Sequence, residues 1–317
     1  AATADAVERY AIDVVLPVEM EWIASQDETH LALSELTAIA PVLDAETFRV
    51  VNNKWLLFKR MQESGIPTIP TALCTFDNDF QHQVRKLEFP ILLKPVTAWG
   101  GEGIRRFDTP AQLREFLKGC ERERIINKYI VQSFLEGHVI GLNLLCQGGR
   151  VLAYTMQQGF IPNTQPYAAA GAIRFIESEE ALEAGNELAS ALKYSGVANI
   201  DMFYDTRENQ IRILEVNARF WGSLRGSYIA GVSFPYLACL AAQDLPLPDP
   251  GYRLARYVHP KTVLREGIVS GLIRNQRERF PLEETGLRYM FADPMAEILR
   301  GLRQELPSRR HVPGEGG

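Results

Sequence analysis

Two stretches of this chain concentrate residue types that can do chemistry. The first is VANIDMFYDTRENQIRILEVNARFWGS. Strand side chains alternate faces, so Asp201 and Phe203 share one face of a first strand, and Ile213, Glu215 and Asn217 share one face of a second. A hairpin turning about Glu208 sets position 201 opposite 215 and 203 opposite 213. Asp201, Glu215 and Asn217 then converge, with Phe203 and Ile213 behind them. Two carboxylates and an amide oxygen suit a hard cation such as Mg²⁺, which also takes phosphate oxygens. Without a metal or a proton the carboxylates would repel each other. Arg219 projects toward the same end and can stabilise a transferring phosphoryl group. Asp205, Arg207 and Glu208 read as turn and surface groups.

The second stretch is FPILLKPVTAWGGEGIRRFD, which places Gly100, Gly101 and Gly103 between two strands. Glycine lets a backbone approach a ligand closely and turn its N–H groups toward phosphate oxygens. Lys94 ends the strand that feeds this turn and can neutralise phosphate charge. By itself the segment fits a tight hairpin beside a surface lysine equally well. It is not a Walker A loop, which needs GK[ST] opening a helix, nor a dinucleotide fingerprint. A flap between strands also occurs in protein kinases, but no HRD or DFG segment follows, which excludes that class.

The elements that must carry these groups alternate between strand-like and helix-like patterns, an α/β signature. Asp13–Val18 reads as a buried strand, Glu28–Ile39 as a helix, Pro41–Leu43 as a short strand and Thr47–Ser64 as one long amphipathic helix stopped by Gly65 and Pro67. A doubly wound unit normally starts with a strand, so residues 1–50 read as a truncated, Rossmann-like βαβ domain. Residues 51–265 form the next domain. It holds a helix near Asp79–Lys86, strands at Pro90–Lys94 and Ile104–Phe107, a helix at Pro110–Gly119, and strands at Ile130–Phe134, Gly141–Leu145 and Val151–Met156. Pro162–Gly171 is a long loop, and loops of that length are often functional. Helix Glu179–Tyr194 leads into the carboxylate hairpin. Gly226–Ala242 carries no charge and reads as one buried helix on the central sheet. Residues 266–317 form a charged helical extension with a disordered tail.

With 317 residues, 46% hydrophobic and 23% charged, the chain has the composition of a folded protein of about two packed units. A net charge of -5 argues against a nucleic-acid binder working through a basic surface. No uncharged stretch is long enough for a confident membrane span. Cys74, Cys120, Cys146 and Cys239 form no CxxC pair, which suits a reducing compartment and supplies no metal cluster. No signal-peptide pattern opens the chain, and the expected location is cytoplasmic.

Taken in order, the stretches VVNNKWLLFKRMQESGIPTIPT, FPILLKPVTAWGGEGI, YIVQSFLEGHVIGLNLL and NIDMFYDTRENQIRILEVNARFWGS resemble the ATP-grasp superfamily, over roughly residues 12–245. The nearest likeness is to its carbamoyl-phosphate-synthase-like and carboxylate–amine ligase branch. The resemblance implies a two-subdomain ATP-grasp fold over 51–265, with a lid subdomain at about 66–131. It implies that Lys54 and Lys94 contact ATP phosphates under a flap at Trp99, Gly100, Gly101 and Gly103. It implies a hinge, Gln132, Ser133, Phe134 and Leu135, whose backbone reads the adenine edge. Asp201, Glu215 and Asn217 match Mg²⁺ (or Mn²⁺) ligands, and Arg219 the residue near an acyl phosphate. Val139 stands where relatives often carry a ribose-holding acid, with His138 and Glu136 as substitutes. His138 otherwise reads as a wall of the nucleotide cleft. Arg174 and Arg225 are candidates for a substrate carboxylate, with a surface strand arginine the equal reading for Arg174; Tyr167 and the three alanines after it are candidates for a substrate loop.

The activity implied is an ADP-forming ligase that joins a small-molecule carboxylate to an amine through an acyl phosphate. The alternatives are a carbamate or small-acid phosphorylating enzyme and a non-catalytic nucleotide-binding protein. No nucleic-acid or membrane partner is expected, and a homodimer is compatible.

Overall fold

The computed structural model describes residues 2–18, 32–74, 84, 87–98, 100–122, 129–248, 251–270, 280–287 and 289. Contacts divide the chain into two compact units, residues 1–256 and 257–317.

The first unit opens with helix α1 (Ala2–Tyr10) and strand β1 (Val14–Val15), which pairs in parallel with β2 (Ala38–Ile39). The expected helix over Glu28–Ile39 therefore ends in a strand, and Pro41–Leu43 is irregular. The single long helix expected over Thr47–Ser64 is two helices, α2 (Ala45–Val51) and α3 (Lys54–Glu63). Asn53 makes the break. Its backbone is extended and its side chain accepts from the N–H groups of Trp55 and Leu56 at 3.0 and 3.2 Å. Such an N-cap satisfies donors a continuous helix would have used internally, and it places Lys54 at the first helical position.

Strands β3 (Thr71–Leu73), β4 (Ile91–Pro95) and β5 (Arg105–Phe107), helix α4 (Pro110–Arg122) and strand β6 (Tyr129–Ser133) follow. The strands form a four-stranded sheet in the order β3-β6-β4-β5. Ile91 and Leu93 alternate inward to a core with Ala72, Val131, Leu113 and Leu117, while Leu92 and Lys94 occupy the other face. The helix expected near Asp79–Lys86 lies almost wholly outside the described residues.

The second sheet joins β7 (Gly137–Gln147), β8 (Arg150–Ile161), β9 (Ala172–Ile176), β10 (Gly196–Asp205) and β11 (Gln210–Asn217) in the order β11-β10-β7-β8-β9, all antiparallel. Helix α5 (Glu179–Ala191), capped by Ser178, covers one face together with α2 and α3. Leu142, Leu144, Ile200, Met202, Ile213 and Leu188 are at most 2% exposed in that core. The uncharged stretch expected as one helix is α6 (Leu224–Ala230) and α7 (Phe234–Ala242), separated at Gly231, whose φ of 115° is a left-handed conformation that glycine adopts without strain. These helices cover part of the opposite face, packing Trp221, Phe234 and Leu237 against Leu145 and Ala153.

Strand β12 (Arg256–Val258) begins at the last residue of the first unit; in the second unit it is followed by helix α8 (Pro260–Ser270), and Val258 bridges Thr285 in parallel. Most of the expected C-terminal extension, including its tail, lies outside the described residues. No helix among the described residues is long and apolar enough to cross a membrane.

Candidate active site

The β10–β11 hairpin pairs Asp201 with Glu215 and Asn199 with Asn217. The register slips between Asp201 and Met202, so Met202 faces Ile213 and Phe203 faces Arg212. The expected Phe203–Ile213 pair is thus wrong. A bulge at Leu214 sends Ile213 into the core beside Met202, while Glu215 returns to the face of Asp201. Asn217 closes the cluster, its Nδ2 lying 3.4 Å from Asp201 Oδ2 and 3.5 Å from Glu215 Oε1. Asp205, expected on the surface, is buried at the hairpin end. It accepts from the Arg207 and Glu208 N–H groups and from Arg212 Nε.

Lys54 reaches this cluster from another element, and Lys94 shares its electrostatic field. Lys54 Nζ lies 3.0 Å from Glu215 Oε2 and also donates to the Ala98 carbonyl, while its backbone N–H donates to Val96. Val51, Asn52, Ala98, Val216 and Asn217 line a small cleft around the Lys54–Glu215 pair. Lys94, on the face of β4 opposite Leu93, is pulled down to about 8 by burial of its ammonium, with the charges of Glu215 and Asp201 opposing and that of Lys54 adding to the shift. Burial, reinforced by the repulsion of Glu215, pushes Asp201 well above the usual carboxylate range, and Arg219 and Lys54 oppose that rise. A buried carboxylate pair of this kind has a strong demand for a cation or a proton.

The donor set fits Mg²⁺. Two carboxylates and an amide supply hard oxygen atoms, and among the described residues no trio of His, Cys, Asp or Glu converges into an all-protein cage. A divalent ion held here would complete its shell with phosphate oxygens and water. Asp201, Glu215 and Asn217 are the residues that would hold it.

The glycine flap has the required conformations: φ is 67° at Gly100, 80° at Gly101 and 73° at Gly103. A Cβ on Gly101 would lie 2.8 Å from the Tyr167 carbonyl oxygen, so the flap rests against the 162–171 loop. Trp99 lies outside the described residues. In the hinge, Ser133 donates to Pro70 and Phe134 to Pro90, whereas no hydrogen bond among the described residues uses the Leu135 N–H. Gln132 is 5% exposed. Its Nε2 donates to Thr71 Oγ1, and its Oε1 accepts nothing from the described residues.

Arg174 stands elsewhere. Gln158 pairs with Ile140 and Arg174, which puts Arg174 on the sheet face opposite Asp201, where it donates to Gln158 Oε1. The register does not bring it to the cluster. Arg225 sits half-buried in α6, close in sequence to Arg219. Glu136 pairs with Arg207 at 2.8 Å, and the His138 ring packs on Tyr204.

Sequence reasoning passed over a run of polar side chains beside the cluster. Asn143, Thr155 and Ser227 are 0% exposed, and Ser223 is 6%. With Asn199 and Gln157 they form a hydrogen-bonded line across β10, β7 and β8 to α6. The visible signal is an asparagine where the strand pattern calls for an apolar residue, as in GLNLL and VANID.

Residues 51–223, more than half of the chain, match the ATP-grasp domain family. The chain belongs to the ATP-grasp family. Members of this family are ATP-dependent ligases that use Mg²⁺. A carbamoyl-phosphate synthase of Methanobrevibacter smithii is 21% identical over 220 residues, covering 66% of this chain and 57% of that protein. The match therefore spans little more than half of that relative's length. The biotin carboxylase domain of Hydrogenobacter thermophilus 2-oxoglutarate carboxylase, solved as a dimer with MgADP and bicarbonate, superposes with a TM-score of 0.63 at 16% identity. That match covers 80% of this chain and 59% of that one. An L-amino acid ligase from Bacillus licheniformis gives 0.56 at 20% identity, covering 75% and 58%. At these identities the structures establish the ATP-grasp fold.

Proposed function

We propose that this ATP-grasp protein is an ADP-forming ligase that activates a small carboxylate as an acyl phosphate and couples it to an amine. One observation carries the reading: Lys54, at a helix start, lies 3.0 Å from Glu215 Oε2 in the Asp201–Glu215–Asn217 cluster, and the buried Lys94 of the smaller sheet is coupled in charge to the same two carboxylates. Alternating cations and carboxylates at one cleft suit a polyphosphate bound with a divalent ion.

In the first step a substrate carboxylate oxygen attacks the γ-phosphorus, the bond from that phosphorus to the β–γ bridging oxygen breaks, and ADP leaves. In the second, the amine nitrogen attacks the acyl carbon, the carbon–oxygen bond to phosphate breaks, and the amine proton passes to solvent. Lys54 and Lys94 offset the phosphate charge, and the Gly100, Gly101 and Gly103 backbone follows the phosphates closely. The Gln132–Leu135 backbone holds the adenine. Arg219, whose charge opposes the rise at Asp201 and whose Nη1 donates to the Phe220 carbonyl at 3.0 Å, stabilises the transferring group. Mg²⁺, when bound, neutralises further phosphate charge. Flap closure excludes water that would hydrolyse the acyl phosphate.

Release of ADP and phosphate across a panel of amino acids and small acids tests the reading. Lys94→Ala is expected to abolish release while the circular dichroism spectrum stays unchanged; wild-type turnover in that variant would sink the flap assignment. MgATP binding without release for any substrate would favour a non-catalytic nucleotide-binding role. The carbamoyl-phosphate synthase relative favours a second reading, carbamate phosphorylation, so the panel includes bicarbonate and carbamate.

A further inference from the structure

The polar line beside the carboxylates has a direction. Asn217 Nδ2 lies 3.4 Å from Asn199 Oδ1, and Asn199 Nδ2 donates to Asn143 Oδ1 at 3.1 Å. Asn143 Nδ2 donates onward to Thr155 Oγ1 at 3.1 Å and Gln157 Oε1 at 3.3 Å, and Ser223 Oγ donates to that same Gln157 oxygen at 2.8 Å. Asn199 and Asn143 present their oxygens toward the carboxylate cluster and their nitrogens away from it, whereas Asn217 turns its Nδ2 to the carboxylates. Gly141 makes room for the line, since a Cβ there would come within 3.2 Å of Gln157 Nε2.

An asparagine can bind a cation only through its oxygen, and its two ends are nearly the same size. Three oxygens attract Asn217 Nδ2: Asp201 Oδ2, Glu215 Oε1 and Asn199 Oδ1. Asp201 and Glu215 would hold a cation through their carboxylate oxygens, which would then no longer be open to Nδ2. Asn199 Oδ1 then remains to hold Nδ2, and a planar amide held at that edge turns its Oδ1 toward the cation. Asn199 is itself held by the fully buried Asn143, so its acceptor oxygen cannot turn away without breaking a buried bond.

We propose that Asn199 is a positioning residue: by accepting the Asn217 Nδ2–H it fixes which edge of that amide faces the metal–phosphate cleft. This rests on the reading of Asn217 as an oxygen donor in the ligase. Outer partners that orient a ligand typically contribute about ten- to a hundredfold in metal affinity.

The test is a double-mutant cycle read by nucleotide binding rather than turnover. Calorimetry on the full chain measures how much Mn²⁺ tightens binding of adenylyl imidodiphosphate, a non-hydrolysable ATP analogue. Asn199→Leu is expected to reduce that gain by at least about tenfold and leave metal-free binding within about twofold. Asn217→Asp presents oxygen at both ends, so the orientation no longer matters. In that background Asn199→Leu should change the gain by less than about threefold. An equal loss in both backgrounds, or none in the otherwise wild-type chain, overturns the proposal. A wild-type protein whose binding Mn²⁺ does not tighten overturns the ligase reading first, and this proposal with it. Should Asn199→Leu fail to fold, Asn199→Thr, too short to reach Asn217, completes the same cycle.

Discussion

Asp201 and Lys94 share one electrostatic field, yet burial acts on them with opposite consequences for stability. Asp201 takes up its proton more readily folded than unfolded. The nucleotide-free protein therefore loses stability as the pH rises above the ordinary carboxylate value of 3.8. Lys94 is held down to about 8 from 10.5, so between those values the unfolded chain binds the extra proton and stability rises with pH. Urea midpoints measured from pH 5 to 10 should fall and then recover. Asp201→Asn should flatten the fall and Lys94→Met the recovery, and an unchanged profile in either variant refutes the assignment. Much of this was legible at the residue scale. Strand alternation alone gathered Asp201, Glu215 and Asn217, because a period of two is insensitive to details of the hairpin beyond its register. It could not foresee the bulge at Leu214, which depends on how Ile213 reaches the core.

Among the elements, the flap and the helix start bear most directly on the site. Gly100 and Gly101 both have positive φ, but a Cβ meets nothing within 4 Å at Gly100 and strikes the Tyr167 backbone at Gly101. Gly100→Ala should cost about 1 kcal/mol of stability with catalysis little changed. Gly101→Ala should in addition push the flap away from the 162–171 loop and reduce kcat/KM at least about tenfold. Equal effects of the two substitutions on kcat/KM would show that this contact has no functional weight. At the helix start, Asn53→Ala should lower unfolding stability by about 1 kcal/mol. It should also weaken ATP binding, since the cap sets where Lys54 leaves the chain; thermal melts and calorimetry read the two effects separately. The break at Asn53 escaped the helical periodicity because the apolar spacing continues across it, whereas the cap is a local backbone choice settled by the Lys54 bond to Val96.

For the whole molecule, the face of the larger sheet that carries Asp201, Glu215 and the polar line, proposed to hold MgATP, lies opposite the face covered by α5. Leu142, at 0% exposure, packs on the α5 side, and Asn143 next to it joins the polar line on the other. Leu142→Ala should cost about 2–5 kcal/mol yet leave nucleotide affinity unchanged in the folded fraction. MgATP at a hundred times its Kd should raise unfolding stability by about 2.7 kcal/mol, in the wild type and in Leu142→Ala alike, and by much less in Lys94→Ala. Calorimetric melts with and without MgATP decide this, and an equal shift in Lys94→Ala would remove that lysine from the nucleotide site.

The sequence by itself determined the alternating α/β plan, the carboxylate hairpin and the glycine flap, because these follow from short-range periodicity and from the conformational freedom of single residues. Only the tertiary structure decided that Arg174 faces away from Asp201, that Lys54 opens a second helix within reach of Glu215, and that Asn143 and Asn199 form a directed amide line. Each of those facts depends on strand register, a cap or packing between residues far apart in the chain, where competing long-range contacts select one arrangement from several that local patterns permit equally.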